Sequence, residues 1–235
     1  MCTVKLLRPL FLLLTAAWLT GCASPQLPIA LEDTLWSERD KTIGVAIVEL
    51  PKPTAQLTGN QGLLDLAINT GLAAGLRSKV ETWELVGMET VPQQLVDELS
   101  TRGYKAKVLS PIKLSEFKEN SAKLGYAKYD FTPLRQQQLD KLILITLHVA
   151  GTQRSYYSVI PTSDPLTQVG GLTQVIDLTD NRLAFYQSFA SVRAADGEWD
   201  EGPDYPNLTN AFYQALDESE QSILAPFRAQ TLSAQ

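Results

Sequence analysis

Cysteine and histidine are nearly missing from this chain of 235 residues, which holds two cysteines and one histidine. Cys2 and Cys22 both precede the first strand-like segment, so the folded part has neither a free thiol nor a disulfide. With His148 as the sole imidazole, no His/Cys metal cluster and no histidine-based catalytic triad can be assembled. His148 sits between Leu147 and Val149 in an apolar run and is expected to be a structural residue of a buried strand. Basic surface is also scarce. Twenty Lys and Arg face 26 Asp and Glu, giving a net charge of −6 with no basic run, and binding nucleic acid through its phosphates needs a basic surface. Nucleic acid is therefore excluded as an expected partner. Long hydrophobic runs are missing as well: a spanning helix takes about 20 predominantly apolar residues, and Pro9, Gly21, Pro25 and Pro28 break the only stretch that approaches it.

What the first residues do contain is an export pattern. Lys5 and Arg8 precede the apolar segment Leu10 to Leu19, which closes on Leu19-Thr20-Gly21-Cys22. This arrangement resembles the lipobox of bacterial lipoproteins, with Gly21 as the small residue before the cysteine. The resemblance implies a signal peptide over residues 1–21 and a mature chain starting at Cys22. It also implies a diacylglyceryl group and an N-acyl chain such as palmitate at Cys22, hence a membrane anchor, since two or more acyl chains hold stably where one does not. Ala23 and Ser24 follow without an aspartate, which in enteric bacteria implies the outer membrane of a Gram-negative cell, with the domain facing the periplasm. Loss of Lys5 and Arg8 with the leader would make the remainder still more acidic.

Residues 22–41 read as a tether with Pro25 and Pro28 near its start, reaching on the order of 25 Å if flexible; Leu31, Leu35 and Trp36 could instead dock on the domain and shorten it. A periplasmic domain is expected over 42–227, with a tail at 228–235. Ile43 to Leu50 has the near-continuous apolar character of a strand buried on both faces. Thr90, Pro92 and Gln93 predict a capped helix start with a capping box, Val91, Leu95, Val96 and Leu99 its buried face, and Gly103 its end. Tyr104, Ala106 and Val108 then alternate with lysines as in a strand with one wet face. A βαβ start with a parallel crossover follows.

Ser115 to Leu124 is expected as a short helix, and Thr132 with Pro133 as the start of another ending near Asp140. Leu142 to Val149 is the most hydrophobic strand. Ser155 to Ile160, Leu172 to Leu178 and Leu183 to Val192 are expected as antiparallel strands, with Gly170-Gly171 and Asp180-Asn181 as turns. A last helix from Asn207 aligns Leu208, Ala211, Phe212, Ala215, Leu216 and Ile223 before Pro226. The fold class is α/β (α+β): one domain, a mixed sheet with a βαβ start and antiparallel hairpins, covered by helices.

The hairpin from Val175 through Asp177, Asp180 and Asn181 to Phe185 is similar to the strand, Asp-containing turn and aromatic strand of the periplasmic α/β domain shared by the TolB amino-terminal domain and the curli secretion lipoprotein. That likeness implies oligomeric or partner-binding envelope proteins, mostly without catalysis. Pro51 to Glu89 and the acidic stretch after the hairpin depart from it. Asp177 is expected to stabilise its turn.

Two further segments stand out. Leu63 to Leu76 carries one acid, Asp65, in an apolar and small-residue stretch containing Gly71 and Gly75. Glycines at that spacing let helices approach closely, which suggests self-association or a membrane-touching surface, the other reading being a buried irregular connection. Asp196 to Tyr205 holds five acids beside Trp199 and Tyr205. Calcium loops need glycine at the sixth position, where Glu201 stands instead, so no metal is expected. Trp199, Asp200, Glu201 and Tyr205 are expected as a partner contact anchored by exposed aromatics, with a bound cation and a solvated connection as the other readings.

The sequence thus points to a non-enzymatic binding or assembly component of the cell envelope that contacts other envelope proteins or copies of itself, with no cofactor. The alternatives are an oligomeric export or pore-forming component resembling the curli secretion lipoprotein, with Leu63 to Leu76 as its inserted or ring-forming element, and an envelope hydrolase with no nameable nucleophile.

Overall fold

A strand of 17 residues, β4 (Lys141–Tyr157), is the spine of the molecule. The computed structural model describes residues 25–31, 33–121 and 123–228; the segment 1–21 expected as a signal peptide, Cys22 and residues 229–235 lie outside the described residues. From Lys141 to Leu147 every residue of β4 is buried, as its apolar run requires. One long edge of β4 takes two parallel partners end to end. β1 (Thr42–Ile47) pairs with Lys141 to Ile145, and β2 (Thr54–Asn60) with Gly151 to Tyr157. β3 (Lys105–Val108) lies parallel to β1 on its far side. The other edge of β4 pairs antiparallel with the short β5 (Ile160–Pro161) and with β6 (Leu166–Asp177), which pairs in turn with β7 (Arg182–Arg193). The result is one open mixed sheet, ordered β3-β1-β4-β6-β7 with β2 and β5 added to β4.

Strand alternation divides the core in two. Ile43, Val45, Ile47, Ile143, Ile145, Val175 and Phe185 face α4 (Val91–Thr101) and α5 (Pro206–Leu224), whose Leu95, Leu99, Phe212 and Leu216 are fully or nearly fully buried. The stripe expected on the last helix is the one that is buried. On the opposite face Ala46, Leu142, Leu144 and Ile176 meet Ile112, Phe131, Leu134 and Leu139. Among the described residues helices cover only the first face; the segment between β3 and β4, with two short 3-10 turns, covers the second.

Several local expectations are corrected. Thr90 does not cap α4: it sits in a 3-10 turn, Met88–Thr90, and its hydroxyl donates backward to the Gly87 carbonyl at 2.7 Å, so no capping box forms. Gly103 ends α4 as expected, at φ 83°, where a Cβ would be strained. Ser115 to Leu124 is not helical. After a 3-10 turn at Leu114–Glu116 the chain extends, pairing Glu119 with Tyr129. Its return is set from outside by Asn181, whose amide donates to the carbonyls of Ala127 and Tyr129 and whose Oδ1 accepts the Phe131 N–H. The Thr132 start gives only 3-10 turns, Thr132–Gln137, capped by Asp130 and stopped by Gln138 at φ 59°.

Ser155 to Tyr157 continues β4 and forms no separate strand. Gly170 and Gly171 are not a turn but lie within β6, where the β4 ladder shifts register between Leu147 and Val149. A Cβ at Gly171 would collide with the Thr146 carbonyl, so glycine here allows close strand approach. His148 occupies that bulge and is exposed, which corrects its expected burial.

Residues 25–41 run against the domain. Ile29 pairs with Tyr186, and α1 (Asp33–Ser37) buries Leu35. Trp36 packs edge-on to Tyr104 beneath the Arg102 guanidinium, 3.7 Å from its ring centroid, and Glu38 pairs with the buried Lys141 at 2.7 Å. Of the two arrangements open to this segment, the docked one holds for its described part.

Candidate functional site

The segment from Leu63 to Val80 forms two helices, α2 (Leu63–Leu72) and α3 (Ala74–Val80), joined at Ala73. It is neither irregular nor buried throughout, which corrects the reading as a buried connection. α3 docks in the ordinary way, with Leu76 and Val80 in the core. α2 is inverted. Its one buried residue is Asn69, while Leu63 (91% exposed), Leu64 (74%), Leu66, Ile68 and Leu72 (75%) face outward. Helices on globular domains normally turn their apolar stripe inward.

Asn69 explains how such a helix is held. Its amide donates to the Gln61 side-chain oxygen at 2.8 Å and to the Ser158 carbonyl at 2.9 Å, while Gln61 in turn donates to the Thr58 carbonyl at 2.8 Å. Asp65 accepts the Gly62 N–H at 3.0 Å and fixes the first turn. Ser158 lies at the tip of the β4–β5 hairpin, whose Tyr157 and Ile160 are also largely exposed. The bond from Asn69 therefore ties two apolar, solvent-facing elements together. Ten residues of helix rise only about 15 Å, and among the described residues no helix is long and apolar enough to cross a membrane.

Gly71 and Gly75 do not share one uninterrupted helix, because Ala73 separates α2 from α3. Around Gly71 the space is open. Gly75 is exposed and lies beside the acidic loop, where the Tyr205 hydroxyl is 3.2 Å from the place a Cβ would take.

That loop carries its aromatics differently from the expectation of exposed anchors. Trp199 and Tyr205 are half-buried, stacked on each other at 6.0 Å and nearly parallel, and packed against the main core. The Arg154 guanidinium lies 4.7 Å from the Trp199 ring, and Lys79 reaches Asp204 at 3.9 Å. Asp200 and Glu201 remain exposed, Glu201 accepting from the Asn207 amide at 2.6 Å. The aromatics thus hold the loop to α3 and β4 and leave its acids at the surface. Among the described residues no three His, Cys, Asp or Glu side chains converge as metal ligands. Asp177 accepts the Thr179 N–H at 2.8 Å, the turn role expected of it.

The outward face of α2 was half legible: the apolar character of Leu63 to Leu72 was plain, but its orientation depends on Asn69, whose partner Ser158 is 89 positions away.

The fold and this surface define a single-domain mixed α/β protein with an open sheet and an unpartnered apolar helix. No family model matches the chain, and no curated protein does. Among solved structures it is similar to the PelC dodecamer from Paraburkholderia phytofirmans, with 10% identity over 88% of this chain and 96% of that one, and a TM-score of 0.34. It is similar also to lipoprotein GNA1162 from Neisseria meningitidis, with 16% identity over 76% and 96% of the two chains and a TM-score of 0.30. A minor lipoprotein from Acinetobacter baumannii, 10% identical, covers 79% of this chain and 90% of its own, with a TM-score of 0.32. Bacterial lipoproteins are thus among the structures it is similar to. At identities and scores this low, the likeness bears on neither activity nor assembly.

Proposed function

We propose that the protein is a non-enzymatic lipoprotein of the outer membrane, anchored through Cys22 and facing the periplasm, that works by associating with copies of itself and with other envelope proteins. The observation that carries this reading is α2, a helix that buries its asparagine and exposes five apolar residues. Fully burying a leucine side chain stabilises by about 1.5–3 kcal/mol, so a partner that covers Leu63, Leu64 and Leu72 gains several times that before the cost of association. A second copy is the simplest partner, with open Gly71 allowing close approach along the same helix. Asp200 and Glu201, held outward by Trp199 and Tyr205, would form a polar contact for a different envelope protein.

The test is the mass of the detergent-purified full chain by light scattering. Wild type should be a discrete oligomer, and Leu64→Lys with Leu72→Lys should lower its mass while leaving its circular dichroism unchanged. A wild-type monomer at tens of micromolar, or a folded variant of unchanged mass, removes the self-association reading. Anchoring is checked separately: Cys22→Ala should abolish palmitate labelling.

A further inference from the structure

The second face of the sheet is incompletely filled. Between β4, β6 and β7 and the segment that covers them lies a half-open cavity of about 590 Å³, within the range of about 300–1,000 Å³ usual for small-molecule sites. Its buried lining is Ala127, Phe131, Leu144, Thr146 and Leu183, with no charge among them. The charged lining residues are all exposed at the rim. Lys128 pairs there with Glu119 at 3.3 Å, and Lys123 lies 3.7 Å from the Tyr126 ring centroid. Burying an ion without a partner is costly, so the interior suits an uncharged apolar group and disfavours an ionic one.

The chain itself leads to this rim. Gln26 lines the cavity and accepts the Gly125 N–H at 2.6 Å, and Ile29 exchanges both backbone hydrogen bonds with Tyr186, at 2.9 and 3.0 Å. Cys22 precedes Gln26 by four positions. A chain extends by at most about 3.3–3.6 Å per residue, so the Cα of Cys22 lies within roughly 14 Å of that of Gln26.

From this juxtaposition we propose that the cavity houses one acyl chain of the lipid carried at Cys22. The proposal rests on the lipidation reading above. Methylenes seated against the buried floor leave water much as they do in a bilayer, which offsets most of the cost of withdrawing that part of the chain from the membrane. With one chain in the cavity, two remain for the membrane, still enough for stable anchoring. The seated chain holds the rim formed by Lys123 to Tyr126 toward the bilayer and so sets the orientation of the whole domain. It also shields that chain from water whenever the protein is off the membrane.

The test is metabolic labelling of cells with a palmitate analogue bearing a diazirine, followed by irradiation and peptide mapping of the full chain. The expected result is label on the Cys22 peptide and cross-links from it to peptides containing Leu144 or Leu172 of the same molecule. Leu172→Trp, which fills the cavity, should lose those cross-links and keep the label. Leu124→Asp, at the exposed lip, gives the same loss without altering the floor, and so covers the case in which the first variant does not fold. Label at Cys22 with no cavity cross-links, or with cross-links that survive in folded variants, overturns the proposal while leaving lipidation intact. Cavity cross-links in Cys22→Ala protein would assign the site to a separate lipid and overturn the proposed source. Absence of label at Cys22 removes the lipidation reading and this proposal with it.

Discussion

Asn69 donates its side-chain amide to the Ser158 carbonyl at 2.9 Å across 89 positions of sequence, and this one bond joins the inverted helix α2 to the tip of the β4–β5 hairpin. Asn69→Leu keeps the size of the side chain and removes the donors to Ser158 and Gln61. Both acceptors are only half-buried and can turn to water, so the loss is that of ordinary hydrogen bonds, about 0.5–1.5 kcal/mol each, but it falls on a helix with little other packing. Hydrogen exchange over residues 63–72 should therefore quicken, with β4 and β6 protected as before. Unchanged exchange in α2 would mean that the helix is held by contacts other than Asn69.

Asn181 does comparable work on the other face. Its backbone is left-handed at φ 66°, and its side chain makes hydrogen bonds to Ala127, Tyr129 and Phe131 while being almost fully buried. Asn181→Ala should lower stability by at least about 2 kcal/mol in urea, since it leaves buried backbone groups unpaired and adds left-handed strain. Asn181→Gly relieves the strain and keeps the loss of partners, so it should recover only the smaller part. Full recovery by glycine would show that the turn, and not the side chain, is what Asn181 supplies.

These two asparagines also mark how far the sequence could be read. Apolar periodicity located β1, β4, β7, α4 and the stripe of α5, because burial on a strand or helix leaves a repeating trace in the sequence itself. The segment from Ser115 to Leu124 has helix-compatible residues, yet it extends because Asn181 captures the carbonyls that follow it, a contact with no local signature. Gly170-Gly171 resembled a turn, since glycine serves both tight turns and close strand approach, and only the bulge opposite at His148 distinguishes the two. The same bulge brings His148 to the surface. At the candidate site the composition of Leu63 to Leu72 was visible, but the direction it faces was not: an amphipathic pattern defines two faces, and Asn69 decided which one is buried.

Glu220 on α5 offers a test by pH. Burial, and then the neighbouring Asp217 carboxylate, raise its carboxyl above the ordinary value of 4.5. Its carboxylate packs where a Cβ on Gly87 would otherwise stand, which is why that position, at φ 100°, is glycine. A carboxyl raised in the folded state binds its proton more tightly there than in the unfolded chain. The ionised form therefore destabilises the fold in full above the raised folded value, and that penalty fades as pH falls from there to 4.5 and is absent below it. Glu220→Gln carries no ionisation and should be more stable than wild type at pH 7.5, with its advantage shrinking as both are titrated toward pH 4. The measurement is the difference in urea midpoint between the two proteins across that range, which cancels the other carboxylates they share. A variant less stable than wild type at neutral pH, or a difference that does not change with pH, would show that the Glu220 carboxylate is held by a favourable contact and not merely tolerated against Gly87.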